Sequence, residues 1–299
     1  MNFKPRGIIP PIVTPFTDDG KFNEPEFRKV INYLIEEGVH GIFPLGTTGE
    51  FYAFSLEESK YILEVAVDAA AGRVPVYAGA NHITTKGVIE FVKIAEEVGA
   101  DAVSVLTPMF ISQTQDEVYK YYADIAANTN LPIIIYNNRP KTNVTVEPET
   151  IAKLAKIENI VGVKDSTGDF TNTEEYIRLT KDIENFSVLL GRDTLIYAGL
   201  CYGATGAIAS CANIAPRVTA DIYEKYIAGD HKGALEAQFK LAPLRITTNI
   251  ATFPSVIKEG LNMLGFNVGK CLEPISELND NQKDKLRKVL IDMDLIKRD

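Results

Sequence analysis

Near its middle the chain reads Asn159-Ile160-Val161-Gly162-Val163-Lys164-Asp165-Ser166-Thr167-Gly168. A short apolar, β-branched run bounded by turn residues is typical of a strand buried on both faces. Lys164 stands where this strand ends, and a buried ammonium is costly unless its pKa falls. A neutral lysine is a nucleophile toward carbonyl groups. The alternative is a lysine that extends to solvent or pairs with Asp165.

Seven other apolar runs alternate with helical patterns along the chain, which makes eight strand candidates with residues 160–164. They lie at residues 7–16, 41–45, 74–78, 102–106, 132–136, 187–190 and 204–208. Eight βα units predict an α/β fold in which a parallel sheet closes into a (β/α)8 TIM barrel. An open doubly wound sheet is the alternative, but no glycine-rich segment has the G-x-G-x-x-G pattern of the dinucleotide-binding sheets.

The last part of the chain has a different pattern. Residues 232–241, 255–264 and 281–296 have helical periodicity with no strand between them. We therefore predict a catalytic barrel over residues 1–225 and a C-terminal helical extension, packed on the barrel, over residues 226–299. No linker rich in Gly, Ser or Pro separates the two parts.

Composition excludes several classes of protein. With 40 acidic and 31 basic residues the net charge is −9, which argues against nucleic acid or an anionic membrane surface as the main partner. No apolar run is long enough to span a membrane, and residues 1–6 lead into a strand rather than a signal sequence, so we expect a cytoplasmic protein. Its 3 cysteines and 3 histidines are scattered, so we predict neither a disulfide framework nor a metal site.

Polar residues follow the predicted strands at the end where a barrel places its active site. Gly46-Thr47-Thr48-Gly49 is either a plain βα turn or a loop whose N–H groups and hydroxyls hold a carboxylate. Tyr136 is either an aromatic residue at the rim or a proton carrier. Together with Lys164 these residues predict a site for Schiff-base chemistry on a carbonyl substrate.

Four ordered motifs, together with two short segments of the C-terminal helices, carry a resemblance to a known family. They are Gly46-Thr47-Thr48-Gly49-Glu50, Tyr136-Asn137, Gly162-Val163-Lys164-Asp165-Ser166, Gly203-Ala204-Thr205-Gly206-Ala207-Ile208, and Val256-Ile257-Lys258-Glu259 with Leu264-Gly265. In order and spacing, they resemble the dihydrodipicolinate synthase / N-acetylneuraminate lyase family. The resemblance implies a TIM barrel with a helical tail, a homotetramer built as a dimer of dimers, and class I aldolase chemistry on pyruvate without metal or organic cofactor.

The resemblance also implies roles for individual residues. Lys164 would be the Schiff-base lysine and Tyr136 the proton-relay tyrosine. Thr47 and Thr48 would bind the substrate carboxylate, and Thr48 would take part in the relay. Three further residues would line the pocket: Gly191, Asp193 and Ile208.

Two positions depart from the synthase pattern. Phe110 stands where the family commonly has a tyrosine that reaches a neighbouring subunit's relay. Lys141, with Arg139 nearby, stands where the synthases have an arginine that receives the carboxylate of the aldehyde substrate. Because a lysine cannot form the bidentate hydrogen bonds of an arginine to a carboxylate, we expect aspartate semialdehyde to be a poor substrate.

The predicted function is that of a Schiff-base lyase or aldolase acting on pyruvate or a 2-oxo acid, for example cleaving a 2-oxo-3-deoxy sugar acid. Its partners would be pyruvate and an aldehyde. Two alternatives within the family are 4-hydroxy-tetrahydrodipicolinate synthase and a 2-oxo-3-deoxy acid dehydratase. From a different class, the chain could be a non-catalytic barrel that binds an oxo acid.

Overall fold

A computed structural model describes residues 3–298 of the chain; residues 1, 2 and 299, which our predicted domain boundaries include, lie outside the described part. One curled sheet of seven parallel strands has the spatial order β1-β7-β6-β5-β4-β3-β2. The strands are β1 Gly7–Ile8, β2 Tyr77–Gly79, β3 Ala102–Leu106, β4 Ile133–Asn137, β5 Ile160–Asp165, β6 Ser187–Leu190 and β7 Gly206–Ala207. Apart from β1, neighbours in the sheet follow one another in the sequence, unlike the order of a doubly wound sheet.

One of the eight predicted strands, the second along the chain at residues 41–45, is not formed as a regular strand. This segment makes isolated parallel bridges instead, from Phe43 to Pro11 and from Ile42 to Val76. Its backbone still hydrogen-bonds to both sides, since Phe43 N donates to the Pro10 carbonyl over 2.9 Å and Tyr77 N donates to the Ile42 carbonyl over 2.9 Å. Prolines along these segments lack an N–H group and so interrupt a regular ladder.

Twelve helices lie among the described residues, and most follow a strand. They are α1 Glu24–Glu36, α2 Leu56–Ala70, α3 Thr85–Glu97, α4 Gln115–Ala126, α5 Arg139–Thr142, α6 Pro148–Leu154, α7 Phe170–Thr180, α8 Ile196–Tyr202, α9 Pro216–Ile227, α10 His231–Thr247, α11 Ser255–Met263 and α12 Asp280–Asp292. Helix α2 begins with a capping box, in which Ser55 and Glu58 bond reciprocally. No helix among residues 3–298 is long and apolar enough to cross a membrane.

Both faces of the sheet are buried, which explains why its strands are apolar throughout. A large cluster of aliphatic and aromatic side chains includes the buried faces of α1, α2, α3 and α4. A smaller cluster takes residues from successive parts of the sheet and contains Ile9, Phe43, Tyr77, Ala102, Ile134, Val161, Leu189 and Ile208. Tyr136 lies two residues after Ile134, so its side chain leaves the strand on the same face as this smaller cluster.

Candidate active site

Lys164 lies at the carboxyl end of β5 and is 4% exposed. Its Nζ is 3.9 Å from the centroid of the Tyr136 ring and 5.1 Å from that of Phe43. The pKa of Lys164 is lowered by burial, although Tyr136 and Asp193 act in the opposite direction. Burial outweighs these neighbours and thus favours the neutral amine that a nucleophile requires.

Asp165 does not pair with the lysine beside it. Its Oδ2 accepts hydrogen bonds from the hydroxyl of Thr173 over 2.6 Å and from Asn172 Nδ2 over 3.2 Å, and its Oδ1 accepts one from the Thr167 N–H over 3.0 Å. These bonds fix the loop between β5 and α7. The alternative in which Lys164 extends to solvent or pairs with Asp165 therefore does not fit the structure.

Tyr136 faces Lys164 because the register of β4 against β5 places the two residues side by side. Asn138 Nδ2 donates to the Tyr136 hydroxyl over 2.8 Å, and Thr47 Oγ1 lies 3.4 Å from the same oxygen. Burial acts to raise the pKa of Tyr136, but the charge of Lys164 and these hydrogen bonds outweigh burial and lower it. A phenol with a lowered pKa can exchange protons more readily.

The loop that carries Thr47 and Thr48 packs against the segment that contains Ile12 and Thr14. Thr14 Oγ1 donates to the Gly49 carbonyl over 2.8 Å. A Cβ at Gly49 would lie 3.0 Å from the Ile12 carbonyl oxygen, so the close approach of the two segments favours glycine. This packing sets the position of Thr48, which is buried, and of Thr47, which contacts Tyr136.

Glu50, at the end of the same loop, forms a buried ion pair with Lys258 of α11. The two side chains are 0% and 1% exposed, and Glu50 Oε1 lies 2.7 Å from Lys258 Nζ. Glu50 Oε2 also accepts from the Leu272 N–H over 3.0 Å, and Lys258 donates to the Lys270 carbonyl over 3.0 Å. A helix of the C-terminal segment is thereby attached to the loop that carries both threonines.

A pocket of about 470 Å³ opens beside Lys164. Its lining includes eight predicted site residues: Thr47, Thr48, Tyr136, Lys141, Lys164, Gly191, Asp193 and Ile208. The other described residues that line it are Pro11, Asn138, Pro140, Ser166, Arg192, Ser210, Arg245, Thr248, Asn249, Ala251, Thr252 and Phe253.

Two predicted site residues lie elsewhere. Arg139 is an exposed residue at the start of α5, outside the set of described residues that line the pocket. Phe110 is 88% exposed with a left-handed φ of 76° and does not line the pocket either. Within this chain, Lys141 is therefore the member of the predicted aldehyde-binding pair that faces the pocket.

Some lining residues were missed in the sequence. Asn138 and Ser166 directly follow strands β4 and β5 within motifs already singled out, so their position at the strand ends was an available signal. Arg245 and Phe253 come from α10 and the segment after it. No local pattern indicates that this distant segment returns to the strand ends.

Asp193 is fixed by its own contacts. Its Oδ1 accepts a hydrogen bond from the Cys211 N–H over 2.7 Å, and its carbonyl oxygen accepts one from Gln238 Nε2 over 2.8 Å. Arg245 Nε lies 3.5 Å from Asp193 Oδ2. The carboxylate thus lines the pocket in a fixed orientation, between the catalytic lysine candidate and an arginine of α10.

Comparisons with known proteins show what the chain as a whole is similar to. Residues 4–293 match the model of the dihydrodipicolinate synthetase family. A 4-hydroxy-tetrahydrodipicolinate synthase from Methanothrix thermoacetophila is 36% identical over 288 residues, which cover 96% of this chain and 97% of that protein. The crystal structure of the dihydrodipicolinate synthase from Thermotoga maritima is 32% identical, with a TM-score of 0.95 over 97% of this chain and 99% of that chain.

A further solved structure is that of YagE, a prophage protein of E. coli K12 that belongs to the dihydrodipicolinic acid synthase family, in complex with pyruvate. It is 31% identical to this chain, with a TM-score of 0.94, and the match covers 97% of this chain and 99% of that chain.

Proposed function

The chain belongs to the dihydrodipicolinate synthetase family, and we propose that it condenses pyruvate with aspartate semialdehyde, the 4-hydroxy-tetrahydrodipicolinate synthase reaction. It is an enzyme, a class I lyase of the aldolase type that works through a lysine Schiff base. The observation that carries the proposal is the buried Lys164 amine against the Tyr136 ring, in a pocket that also contains Thr47 and Thr48. The names of the curated relatives support the synthase reaction in particular.

The proposed reaction begins at Lys164. Its neutral Nζ attacks C2 of pyruvate, a C–N bond forms, and the carbonyl oxygen leaves as water to give an imine. Loss of a proton from C3 gives an enamine, whose C3 attacks the aldehyde carbon and forms the new C–C bond. The aldehyde oxygen takes up a proton and becomes a hydroxyl group. The amino group of aspartate semialdehyde then attacks C2, a new C–N bond closes the ring, and the bond from C2 to Lys164 Nζ breaks to release the amine.

Tyr136 would move the protons that these steps need. Its hydroxyl accepts a hydrogen bond from Asn138, which leaves its own proton free to be donated to the oxygen of the carbinolamine. Thr47 lies next to this hydroxyl and could carry the proton onward. Thr48 and the backbone N–H groups of the same loop would hold the pyruvate carboxylate.

The other predictions from the sequence enter as parts of this proposal. We place residues 41–45 as the eighth strand position of a closed (β/α)8 barrel, because their backbone bonds to both neighbouring segments. The division into a barrel over residues 1–225 and an extension over residues 226–299 remains a prediction, as do the homotetramer and the cytoplasmic location.

Cleavage of 2-oxo-3-deoxy sugar acids, our first prediction, is the second candidate function. The observation that favours it is Lys141, which lines the pocket in place of the arginine of the synthase pattern. Phe110 cannot pass a proton where the synthases commonly have a tyrosine. The dehydratase alternative uses the same imine and has no separate observation in its favour.

The two candidates are distinguished by kcat/KM for pyruvate plus aspartate semialdehyde beside kcat/KM for cleavage of 2-oxo-3-deoxy sugar acids. We expect condensation to be the more efficient reaction in the wild type. The double variant Phe110→Tyr/Lys141→Arg serves as the matched comparison. If sugar-acid cleavage dominates and the double variant gains condensation activity, the synthase proposal is wrong and the second candidate replaces it.

A further inference from the structure

The catalytic pocket is lined by an excess of positive charge. Its basic side chains are Lys141, Lys164, Arg192 and Arg245, whereas Asp193 is the one carboxylate among its described lining residues, so positive charge is in excess even with Lys164 neutral. The whole chain, in contrast, has a net charge of −9. An excess of one sign in a cleft attracts ligands of the opposite sign.

Arg192 has a buried N–H group that no described protein group satisfies. It lies two residues after β6, and its Nε is buried without a hydrogen-bond partner among residues 3–298. Burial and the nearby charge of Arg245 lower the pKa of Arg192, although Asp193 acts against both. Because a buried guanidinium N–H without a partner is costly, a group that occupies the pocket is expected to supply the missing acceptor.

Arg245 lies beside Arg192 but is held in place. Its Nη1 donates hydrogen bonds to Thr248 Oγ1 over 2.6 Å and to Asn249 Oδ1 over 3.3 Å. Its Nε is 3.5 Å from Asp193 Oδ2. Asp193, already engaged by the Cys211 N–H, is therefore the one carboxylate of the described lining beside two guanidinium groups. Asp165 also acts on Arg192, but its oxygens are bound by Thr167 and Thr173.

The two arginines lie where the pocket continues away from Lys164. A neighbouring pocket of about 390 Å³ shares Arg192, Arg245 and Asn249 with the catalytic pocket. A substrate that reacts at Lys164 and extends along the pocket would therefore reach the arginines with its far end. Gly168 allows this arrangement, because a Cβ there would lie 3.1 Å from Arg192 Nε.

We propose that Arg192 and Arg245 form the subsite for an anionic group, a carboxylate or a phosphate, at the far end of the aldehyde substrate. This inference rests on the proposed function and adds to it the two side chains that would bind the anionic group of the aldehyde. Pyruvate does not need these charges, since its carboxylate is assigned to the loop with Thr47 and Thr48. Planar guanidinium groups bind carboxylates and phosphates with two parallel hydrogen bonds, which a lysine cannot do. The arginine pair therefore supplies the two parallel hydrogen bonds that Lys141 cannot make.

The test is a panel of aldehydes condensed with pyruvate by the wild type and by Arg192→Gln. Succinate semialdehyde carries a carboxylate, glyceraldehyde 3-phosphate carries a phosphate, and glyceraldehyde and butanal are neutral. Because Arg192 Nε has no protein partner, this substitution should leave the unfolding temperature nearly unchanged. The matched control is Arg178→Gln, an exposed arginine of α7 that pairs with Glu175.

We expect Arg192→Gln to lower kcat/KM for at least one anionic aldehyde by about 10- to 100-fold, the size of a lost charge-assisted contact. The values for the neutral aldehydes and the control should stay within about twofold, a change too small for a lost contact of this kind. Comparison of the two anionic aldehydes then identifies the preferred group. Equal losses for anionic and neutral aldehydes would mean that Arg192 only maintains the structure, and no loss would mean that the anion binds elsewhere; either result overturns the inference.

A failure of the proposed function would be distinguishable from a failure of this subsite. If the wild type forms the pyruvate adduct but condenses it neither with aspartate semialdehyde nor with any aldehyde of the panel, the proposed function is wrong. The subsite is then judged by equilibrium binding of glutarate and of inorganic phosphate to the borohydride-reduced adduct. Weaker binding of one of these anions to Arg192→Gln supports the subsite, and equal binding contradicts it. Arg245→Lys, which keeps the charge near Asp193, provides a second variant in the same measurements.

Discussion

The Tyr136 hydroxyl lies among groups that set how easily it gives up a proton. Asn138 donates to it, Thr47 lies within hydrogen-bond distance, and the Lys164 ammonium lies over its ring. Phe43 completes the aromatic surroundings of the lysine. The reactivity of the site therefore depends on two coupled groups, the amine and the phenol, rather than on either one alone.

Removal of the Tyr136 hydroxyl tests its part in proton transfer. Tyr136→Phe keeps the ring over Lys164, so we expect kcat to fall by roughly 10²- to 10⁴-fold, as for the loss of a general acid–base group. Stability should change little, because the loss mainly leaves Asn138 Nδ2 without one acceptor. Steady-state kinetics and urea unfolding of the variant measure both effects. An unchanged kcat would show that Tyr136 is structural.

The pH dependence of imine formation tests the coupling. The pKa of Lys164 lies below the ordinary 10.5 because burial disfavours the ammonium, so the rate of pyruvate trapping should rise with pH and level off below pH 10.5. Tyr136 favours the ammonium and opposes this shift. In Tyr136→Phe the midpoint of the profile should therefore move to lower pH. A midpoint at the ordinary value in both proteins would contradict the account of burial.

At the scale of elements, the sequence predicts the sheet better than it predicts the site. The apolar runs at 102–106, 132–136, 160–164 and 187–190 correspond to strands in the structure, because a buried parallel strand is a local pattern. Residues 41–45 are also largely apolar but form only bridges, since Pro44 and the prolines of the adjoining segments interrupt a regular ladder. The apolar character of a segment does not by itself reveal this.

The site was predicted where it follows strand ends and missed where it depends on distant contacts. Lys164, Tyr136 and Asp193 directly follow or end strands, and the structure brings them to one pocket. Arg245 belongs to α10, whose docking is decided by tertiary packing rather than by a local signal. Phe110 was included by resemblance alone, and the structure places it on the surface.

The attachment of α11 to the threonine loop gives a prediction at this scale. Glu50→Gln leaves the buried Lys258 ammonium without its counter-charge, and such a loss typically costs about 3–5 kcal/mol of stability. Because the pair holds the loop with Thr47 and Thr48, KM for pyruvate should rise as well. Urea unfolding and steady-state kinetics measure the two effects.

The neighbouring residue of α11 supplies the control. Glu259 pairs with Lys283 near the surface, 3.4 Å apart, so Glu259→Gln should change stability much less and leave KM unaltered. If Glu50→Gln and Glu259→Gln have the same small effect on stability and on KM, the buried pair does not position the loop.

At the scale of the whole molecule, the charge distribution bears on substrate binding and the exposed apolar residues bear on assembly. The chain has a net charge of −9, whereas four basic side chains and one carboxylate line the pocket. This local excess of positive charge concentrates anionic substrates such as 2-oxo acids at the site. Phe110 and Ile111 are large apolar side chains on the surface, 88% and 62% exposed. Exposed apolar residues of this kind are compatible with the predicted homotetramer, which sedimentation would measure directly.

The central claim is that Lys164 forms the imine with pyruvate, and reductive trapping tests it most directly. The protein is incubated with pyruvate and borohydride, and the adduct is located by peptide mass spectrometry. We expect one pyruvate-derived adduct, on Lys164. Lys164→Ala should lose both the adduct and turnover, and Lys164→Arg should not restore them, because a guanidinium stays protonated. An adduct on another lysine, or turnover retained by Lys164→Ala, would contradict the claim.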